Sequence, residues 1–392
     1  MNPLDNVPVT LIGHPFAPIG MGEQLRSHIA ACAAAYVPCS VLDIFRYAQR
    51  GDAAHAALIG DREIRVPPGG IRIFHVNGDE VDRVREAFAA RGGDFDAGYN
   101  IIVPAWELPL YPKQWAARLA KFDEVWALSA FLQESLATAG VMSHLVGQSV
   151  EPPPGPLLPR RYFGIRESAF VLLHFFDLTS YAARKNPLAV LDLFRRLREA
   201  APFRDLHLVL KVKDGERDAA DWAAEIGSDP QVQVIATPLD SLRVRSLIAA
   251  SDCFVSLHRA EGFGRGLGEA MALGRLALGT AWSGNLDFMT EDNALLVRQT
   301  QVRVPPDAYP HWQGQTWAEP DIGHASALLG PVLADPARGR DRALRGQTEV
   351  LRSHGHRAVG LRILDRLEAI AAAGAKRLAR PAPRRRRAPA PA

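Results

Sequence analysis

The chain has little cysteine and no long apolar run. Cys32, Cys39 and Cys253 are the three cysteines in 392 residues. None forms a C-x-x-C pair and the count is odd, which argues against a disulfide framework. Buried free thiols in a reducing compartment are the expectation. The longest uncharged apolar stretch in the first forty residues is Ile29–Val37. That is well short of the roughly 18 residues a membrane span needs. The N-terminal MNPLDNVPVTLIG lacks a basic segment followed by an apolar one, so an unprocessed, cytoplasmic protein is expected. No Cys/His/Asp cluster shows metal-ligand spacing. The dinucleotide fingerprint G-x-G-x-x-G fails around Gly262, Gly264 and Gly266, where the last position is Leu267, Glu269 or Met271. No G-x-x-x-x-G-K-[ST] string occurs either. A generic dinucleotide oxidoreductase and a P-loop phosphotransferase therefore lose their main support.

Basic charge is scarce outside one place. The formal net charge is +3, but seven basic residues and no acids lie from Lys376 to the end. Removing them leaves 3 − 7 = −4 for the body, which is not the charge of a nucleic-acid binder. The tail, within residues 374–392, ends in PAPRRRRAPAPA. Its Pro/Ala/Arg composition implies disorder. An alternative reading is attraction to anionic lipid head groups at the inner membrane face, at about 1 kcal/mol per basic residue.

What is present is alternation of strand and helix. VTLIG (9–13) reads as a strand, followed by a Gly/Pro-rich loop and the helical EQLRSHIAACAAAY. IRIFHVN (71–77), NIIVPAWEL (100–108) and DEVWALS (123–129) read as further strands, the last followed by a helix ending at Gly140. Five prolines within Glu151–Arg161 cannot sit inside a sheet or helix and mark a hinge. Beyond it the logic repeats. AFVLLHFFD (169–177) is a continuous apolar run, as a buried parallel strand should be. PLAVLDLFRRLREA is an amphipathic helix, and LHLVLKV, VQVIAT, CFVSL and RLALGTAW read as strands. The expected architecture is α/β, two domains of similar size facing each other: residues 1–155 and 156–355, then a helix over 356–373.

The richest stretch is HRAEGFGRGLGEAMALG, 258–274. Glu261 and Glu269 stand eight positions apart with four glycines between them. So flexible a loop is a poor core element, because each glycine loses backbone entropy on ordering. It follows a predicted strand and precedes a helix expected to start near Leu267. Ligands of open parallel sheets bind beyond the C-terminal strand ends. Free N–H groups at Gly266, Leu267 and Gly268 would favour an anion there. Glu269, expected in the first turn, could accept from two ribose hydroxyls, and Glu261 could reach another part of the same ligand. Two acids for hydroxyls and a helix end for phosphates describe a nucleotide-sugar site. Arg184 and Lys185, in RKNP, precede Pro187 at a helix start and could face a leaving diphosphate. Each of these groups alone is more often a solvated charge or a helix-dipole partner; together they point to a site. His14, His75, His174 and His258 each adjoin a strand end, where a lone histidine is more often structural.

EGFGRGLGEAMALG resembles the E-x7-E signature of retaining GT-B glycosyltransferases of the family-four type (group 1 glycosyl transferases). FFDLTSYAARKNP, SLHRAEGFG, SGNLDFMTEDNALLV and WAEPD are similar to that group, as are IGMGEQLR, PAWELPLYPKQW and DEVWALSAF. The similarity runs in order from about Gly13 to about Arg357. It implies the GT-B fold, two Rossmann-like domains facing each other across a cleft, with acceptor binding in the first and donor binding in the second. It implies that Glu269 binds the ribose and Glu261 contacts the donor sugar. The backbone of Gly262, Phe263, Gly264, Arg265, Gly266 and Leu267 would line sugar and diphosphate. Arg184 and Lys185 would hold the diphosphate, with Gly20 and Gly22 in the first-domain loop facing it. Two positions depart from the pattern. HFFD (174–177) stands where many members carry an arginine, and Ala105–Trp106–Glu107 where many carry a histidine. Trp106 and Glu107 become the acceptor-side candidates.

The expected function is transfer of a sugar from GDP-mannose or a UDP-sugar to a hydroxyl of a glycan or glycolipid, with retention. No metal or other cofactor is expected, Arg184, Lys185 and the helix end taking its place. The other reading is a catalytically inactive sugar- or nucleotide-binding protein on the same fold. A phosphorylase-like or epimerase-like relative would need a cofactor lysine or another acid constellation, and neither signature is seen.

Overall fold

The computed structural model describes residues 4, 7–46, 52–66, 69–178, 181–213 and 229–378. The basic tail from residue 379 onward lies outside them. Two sheets organise the chain. The first runs β2-β1-β3-β4-β5-β6, with β1 (Val9–Gly13), β2 (Ser40–Asp43), β3 (Ile71–Phe74), β4 (Tyr99–Ile102), β5 (Glu124–Ala127) and β6 (His144–Leu145). The second runs β12-β11-β10-β7-β8-β9, with β7 (Phe170–Asp177), β8 (Leu206–Lys213), β9 (Val232–Ile235), β10 (Cys253–Ser256), β11 (Leu276–Thr280) and β12 (Leu295–Val297). β1 through β5 pair in parallel, as do β7 through β12. A separate antiparallel hairpin joins β13 (Gln299–Arg303) to β14 (Thr316–Pro320).

β7 explains why an unbroken apolar run makes a strand. Leu172 packs into one buried cluster with Leu208, Leu210 and the helix residues Val190, Phe194 and Leu197. Its neighbours Val171 and Leu173 point the other way, into a cluster with Val209, Phe254, Leu267 and Met271. Both faces are covered, so alternation of polar and apolar residues is absent. The helix Pro187–Ala200 begins on proline, whose missing N–H costs nothing at that position.

Contacts divide the chain into two units. One contains 1–104, 114–126 and residues from 360 onward; the other contains 105–113 and 127–359. By contacts, residues 105–113 and 127–155 group with the second unit. The last helix, expected over 356–373, spans His356–Leu378. The strand expected over 100–108 stops at Ile102, because Pro104 cannot donate to a ladder. β2 was not anticipated; four residues are too short a run to show a period.

Strand order places the site. In the second sheet the winding direction reverses between β7 and β10, which lie side by side. Loops leaving the C-terminal ends of such a pair diverge and open a crevice. Residues 178–186 follow β7 and residues 257–264 follow β10.

Candidate active site

Arg184, Lys185 and Glu261 meet in that crevice. The first two end a single helical turn, Ala182–Lys185, and Asn186 turns the chain in the left-handed region into the next helix. Glu261 lies 76 residues further on. Lys185 donates to Glu261 Oε1. Arg184 Nη1 stands 3.4 Å from Glu261 Oε2 and 3.3 Å from the Ala260 carbonyl. Arg184 Nη2 stands 3.7 Å from Glu107 Oε1. All three residues of the central cluster have little exposure, Arg184 and Glu261 being buried and Lys185 half-buried. Two cations and two carboxylates make the cluster neutral.

Burial alone would raise the Glu261 carboxyl. Lys185 and then Arg184 outweigh it and hold the group at about 2. Arg184 is raised despite its burial, through Glu107 and Glu261. Lys185 is lowered by burial, which Glu261 only partly offsets. The backbone of Glu261 is fixed as well. Its N–H donates to Ser283 Oγ at 3.1 Å, and its carbonyl accepts from Gly284 N–H at 3.2 Å. Ser283 adopts φ 74°, unusual for a residue with a side chain. Ser129 Oγ donates to the Gly262 carbonyl at 2.5 Å.

The glycine loop differs from its sequence reading in three ways. The helix starts at Arg265, with Gly264 as a left-handed cap at φ +87°. Gly268 N–H is already bonded to the Gly264 carbonyl at 3.2 Å, so it is not among the first-turn donors of the helix, which are those of Arg265, Gly266 and Leu267. Glu269 is past the first turn and pairs with Arg265 at 2.6 Å, the i,i+4 arrangement. The glycines also have a packing reason. A Cβ on Gly266 would lie 2.6 Å from the Phe254 ring, one on Gly268 2.9 Å from Val150, and one on Gly262 2.9 Å from the Trp106 carbonyl. Phe263 and Leu267 turn their side chains into the core, Phe263 against Phe288 at 5.3 Å between ring centroids. Only their backbone is available to a ligand.

Gly284 makes the tightest contact of this region. A Cβ there would stand 2.1 Å from the Gly262 carbonyl oxygen, a backbone atom that cannot swing aside. Gly284→Ala should therefore destabilise the protein by about 3 kcal/mol, the upper end of overpacking costs. Urea unfolding measures this; an unchanged midpoint would mean that the loop yields.

Trp106 is buried, with Nε1 donating to the Leu110 carbonyl at 3.0 Å, so it packs. Glu107 accepts from the Tyr309 hydroxyl. Phe176 stacks on His174 and Phe175 meets Phe254 edge-on, so both phenylalanines of HFFD are packing groups. His174 Nδ1 donates to the Val255 carbonyl, 2.8 Å away, and His258 Nε2 donates to the Trp282 carbonyl at 3.1 Å. Gly20 and Gly22 open the helix Gly20–Ala34 of the first unit. A Cβ on Gly22 would meet the Ala17 carbonyl at 2.2 Å, while Gly20 faces open space.

Sequence reasoning missed Tyr309, Ser283 and Ser129. Ser283 lay within the string SGNLDFMTEDNALLV and Ser129 within DEVWALSAF, each without a role; Tyr309 has no local signal. One triplet was overlooked: the expectation of a metal-free site took the chain to hold no D-x-D string, and it holds one. Asp94-Phe95-Asp96 is a D-x-D string, a spacing able to pair a metal with a diphosphate. Here Asp94 Oδ1 accepts from the Asp96 N–H at 3.0 Å, forming the turn before β4, and Phe95 is buried. Among the described residues no group of three His, Cys, Asp or Glu could hold a metal ion. No described helix is long and apolar enough to cross a membrane.

The fold is that of GT-B proteins. HepE of Anabaena, solved in complex with UDP and glucose, superposes with a TM-score of 0.64 at 14% identity, over 93% of this chain and 100% of that one. Sucrose-phosphate synthase of Thermosynechococcus elongatus gives 0.65 at 16% identity, over 94% and 100%. OtsA gives 0.63 at 10% identity, over 92% and 99%. Residues 171–305 match the family of glycosyl transferases group 1, a span holding Arg184, Lys185, Glu261 and Glu269. No curated protein matches the chain by sequence.

Proposed function

We propose that the protein is a retaining, metal-independent glycosyltransferase that takes its sugar from a nucleotide diphosphate. The observation that carries the reading is the Arg184–Lys185–Glu261 cluster at the β7/β10 switch point, beside the first N–H groups of the helix Arg265–Ala272. Cations and helix N–H groups stabilise the charge that grows on a departing diphosphate. The match of residues 171–305 to glycosyl transferases group 1 supports the transferase class. The UDP held by HepE supports a nucleotide-sugar donor.

In this mechanism the acceptor hydroxyl oxygen attacks the anomeric carbon on the face the diphosphate leaves. The carbon–oxygen bond to the diphosphate breaks through an oxocarbenium-like transition state. The hydroxyl proton passes to the leaving phosphate oxygen. Arg184, Lys185 and the N–H groups of Arg265–Leu267 hold the phosphates. Glu261, ionised throughout the neutral range, orients the sugar and is too acidic to act as a base. Glu269, freed from Arg265, would accept from the ribose hydroxyls. Gly20 and Gly22 would lie toward the diphosphate, and Glu107 on the acceptor side. The acceptor would be a glycan or glycolipid hydroxyl, and the basic tail would supply any contact with an anionic membrane.

A thermal-shift panel of UDP, GDP, ADP and CMP without magnesium tests the reading. A ligand at a hundred times its Kd adds about 2.7 kcal/mol of stability. One diphosphate should raise Tm without metal, and the matching nucleotide-sugar should then be hydrolysed or transferred. Stabilisation by none, or only with magnesium, would sink the metal-free donor site. Binding without any turnover would favour an inactive binding protein on this fold.

A further inference from the structure

The hairpin β13–β14 and the loop between its strands, 304–315, are the feature that the proposed chemistry leaves unused. The hairpin and its loop are fastened at three points. Gln315 Oε1 accepts from Leu110 N–H at 3.0 Å, and its Nε2 donates to the Leu110 carbonyl at 2.6 Å. Tyr309 is buried between the rings of Trp106 and Tyr181, at 5.6 and 5.0 Å between centroids. At the base of the hairpin, Arg259 forks onto Glu319 at 2.6 and 3.0 Å. Arg259 N–H in turn donates to the Arg184 carbonyl at 2.7 Å. The hairpin is thus tied to the Arg184 backbone at one end and to Glu107 at the other.

The contact between Glu107 and Arg184 is long. Charge-assisted pairs close to about 2.7–2.9 Å when nothing restrains them; here the separation is 3.7 Å. The restraint is visible on the other carboxylate oxygen, which accepts from the Tyr309 hydroxyl. A carboxylate so tethered is held off the guanidinium, and part of its charge is taken up by the phenol.

We propose that Tyr309 is a positioning residue that holds Glu107 back from Arg184 and thereby limits its competition with a diphosphate for that guanidinium. The proposal rests on the diphosphate reading of Arg184 and Lys185. Burial and then Glu107 push the phenol well above its ordinary range, so it stays a donor at every working pH. Loss of the hydroxyl lets Glu107 close on Arg184 and compete with the incoming phosphate. Loss of the Glu107 charge removes the competitor, and Tyr309 then has nothing to restrain.

The test is calorimetric titration of UDP, GDP, ADP and inorganic pyrophosphate into the full chain, Tyr309→Phe, Glu107→Gln and the double variant. Tyr309→Phe should weaken diphosphate binding about tenfold, and Glu107→Gln should tighten it. In the Glu107→Gln background, Tyr309→Phe should change affinity by less than about twofold, which identifies an effect transmitted through Glu107. An equal weakening in both backgrounds would reduce Tyr309 to an anchor of the loop and overturn the proposal. So would unchanged or tighter binding by Tyr309→Phe alone. If no probe binds to any of the four proteins, the diphosphate reading itself fails, and the proposal falls with it.

Discussion

Glu261→Ala should cut turnover by about 10²–10³-fold, the usual cost of removing one group aimed at the transition state. Nucleoside diphosphate binding should survive. The cluster is neutral as it stands, with Arg184 and Lys185 against Glu261 and Glu107. Without Glu261 it carries one net positive charge, which favours a phosphate. Stability should fall at the same time. Glu261 is buried, and its removal takes from Lys185 the carboxylate it donates to and from Arg184 one of its two carboxylates. Breaking a buried pair in this way costs about 3–5 kcal/mol. Glu261→Gln keeps the shape and separates the two effects. Steady-state kinetics and nucleotide titration should be run on variants shown to be folded at the assay temperature. Turnover near that of the parent would remove Glu261 from the mechanism. Loss of diphosphate binding in Glu261→Gln would mean that the carboxylate organises the phosphate site instead.

Much of this site was legible before the fold was seen, because its parts are local. β7 reads as a continuous apolar run, and a strand buried on both faces needs little else to be recognised. RKNP and the two-glutamate loop each carry a local signature of charge, proline and glycine. What sequence could not give is the pairing between segments. Lys185 and Glu261 are 76 residues apart, and Glu107 and Tyr309 are 202 apart. Only strand order brings the first two together, and only the hairpin brings the second two. The glycines show the opposite error. They invite a ligand explanation, yet Phe254, Val150 and the Trp106 carbonyl already fill the space where Cβ atoms would stand. A glycine records a close approach without saying what approaches. Glu269 was placed one turn early because Gly264, read as loop, caps the helix.

Acid should unfold the protein in two separable stages, and the cluster supplies one of them. His174 is buried in β7, stacked on Phe176, and burial holds it at about 4, below its ordinary 6.5. The unfolded chain binds that proton first, so the stability tied to neutral His174 is whole above pH 6.5 and is lost as pH falls toward 4. His258, also lowered by burial, acts in the same direction. Glu261 follows in a lower window. Its folded value of about 2 lies beneath the ordinary 4.5, so its contribution is whole above pH 4.5 and is lost as pH falls through 2. That difference corresponds to about 3 kcal/mol. The groups facing Glu261 are Lys185, Arg184, His258 and His174, all of which are or become cationic, and the second carboxylate of the cluster, Glu107. Urea unfolding of the parent and of Glu261→Gln at steps from pH 7 to pH 2 resolves the stages. The variant should start less stable at pH 7, and the gap between the two proteins should narrow by about 3 kcal/mol below pH 4.5. Between pH 7 and pH 5 the gap should stay constant, because the histidines titrate in both. A gap that is unchanged down to pH 2 would mean that Glu261 is not held by Lys185 and Arg184 in solution. A gap that already closes above pH 5 would mean that its carboxyl is raised by burial, and the case for an ionised, sugar-orienting Glu261 would give way to one for a proton-carrying acid.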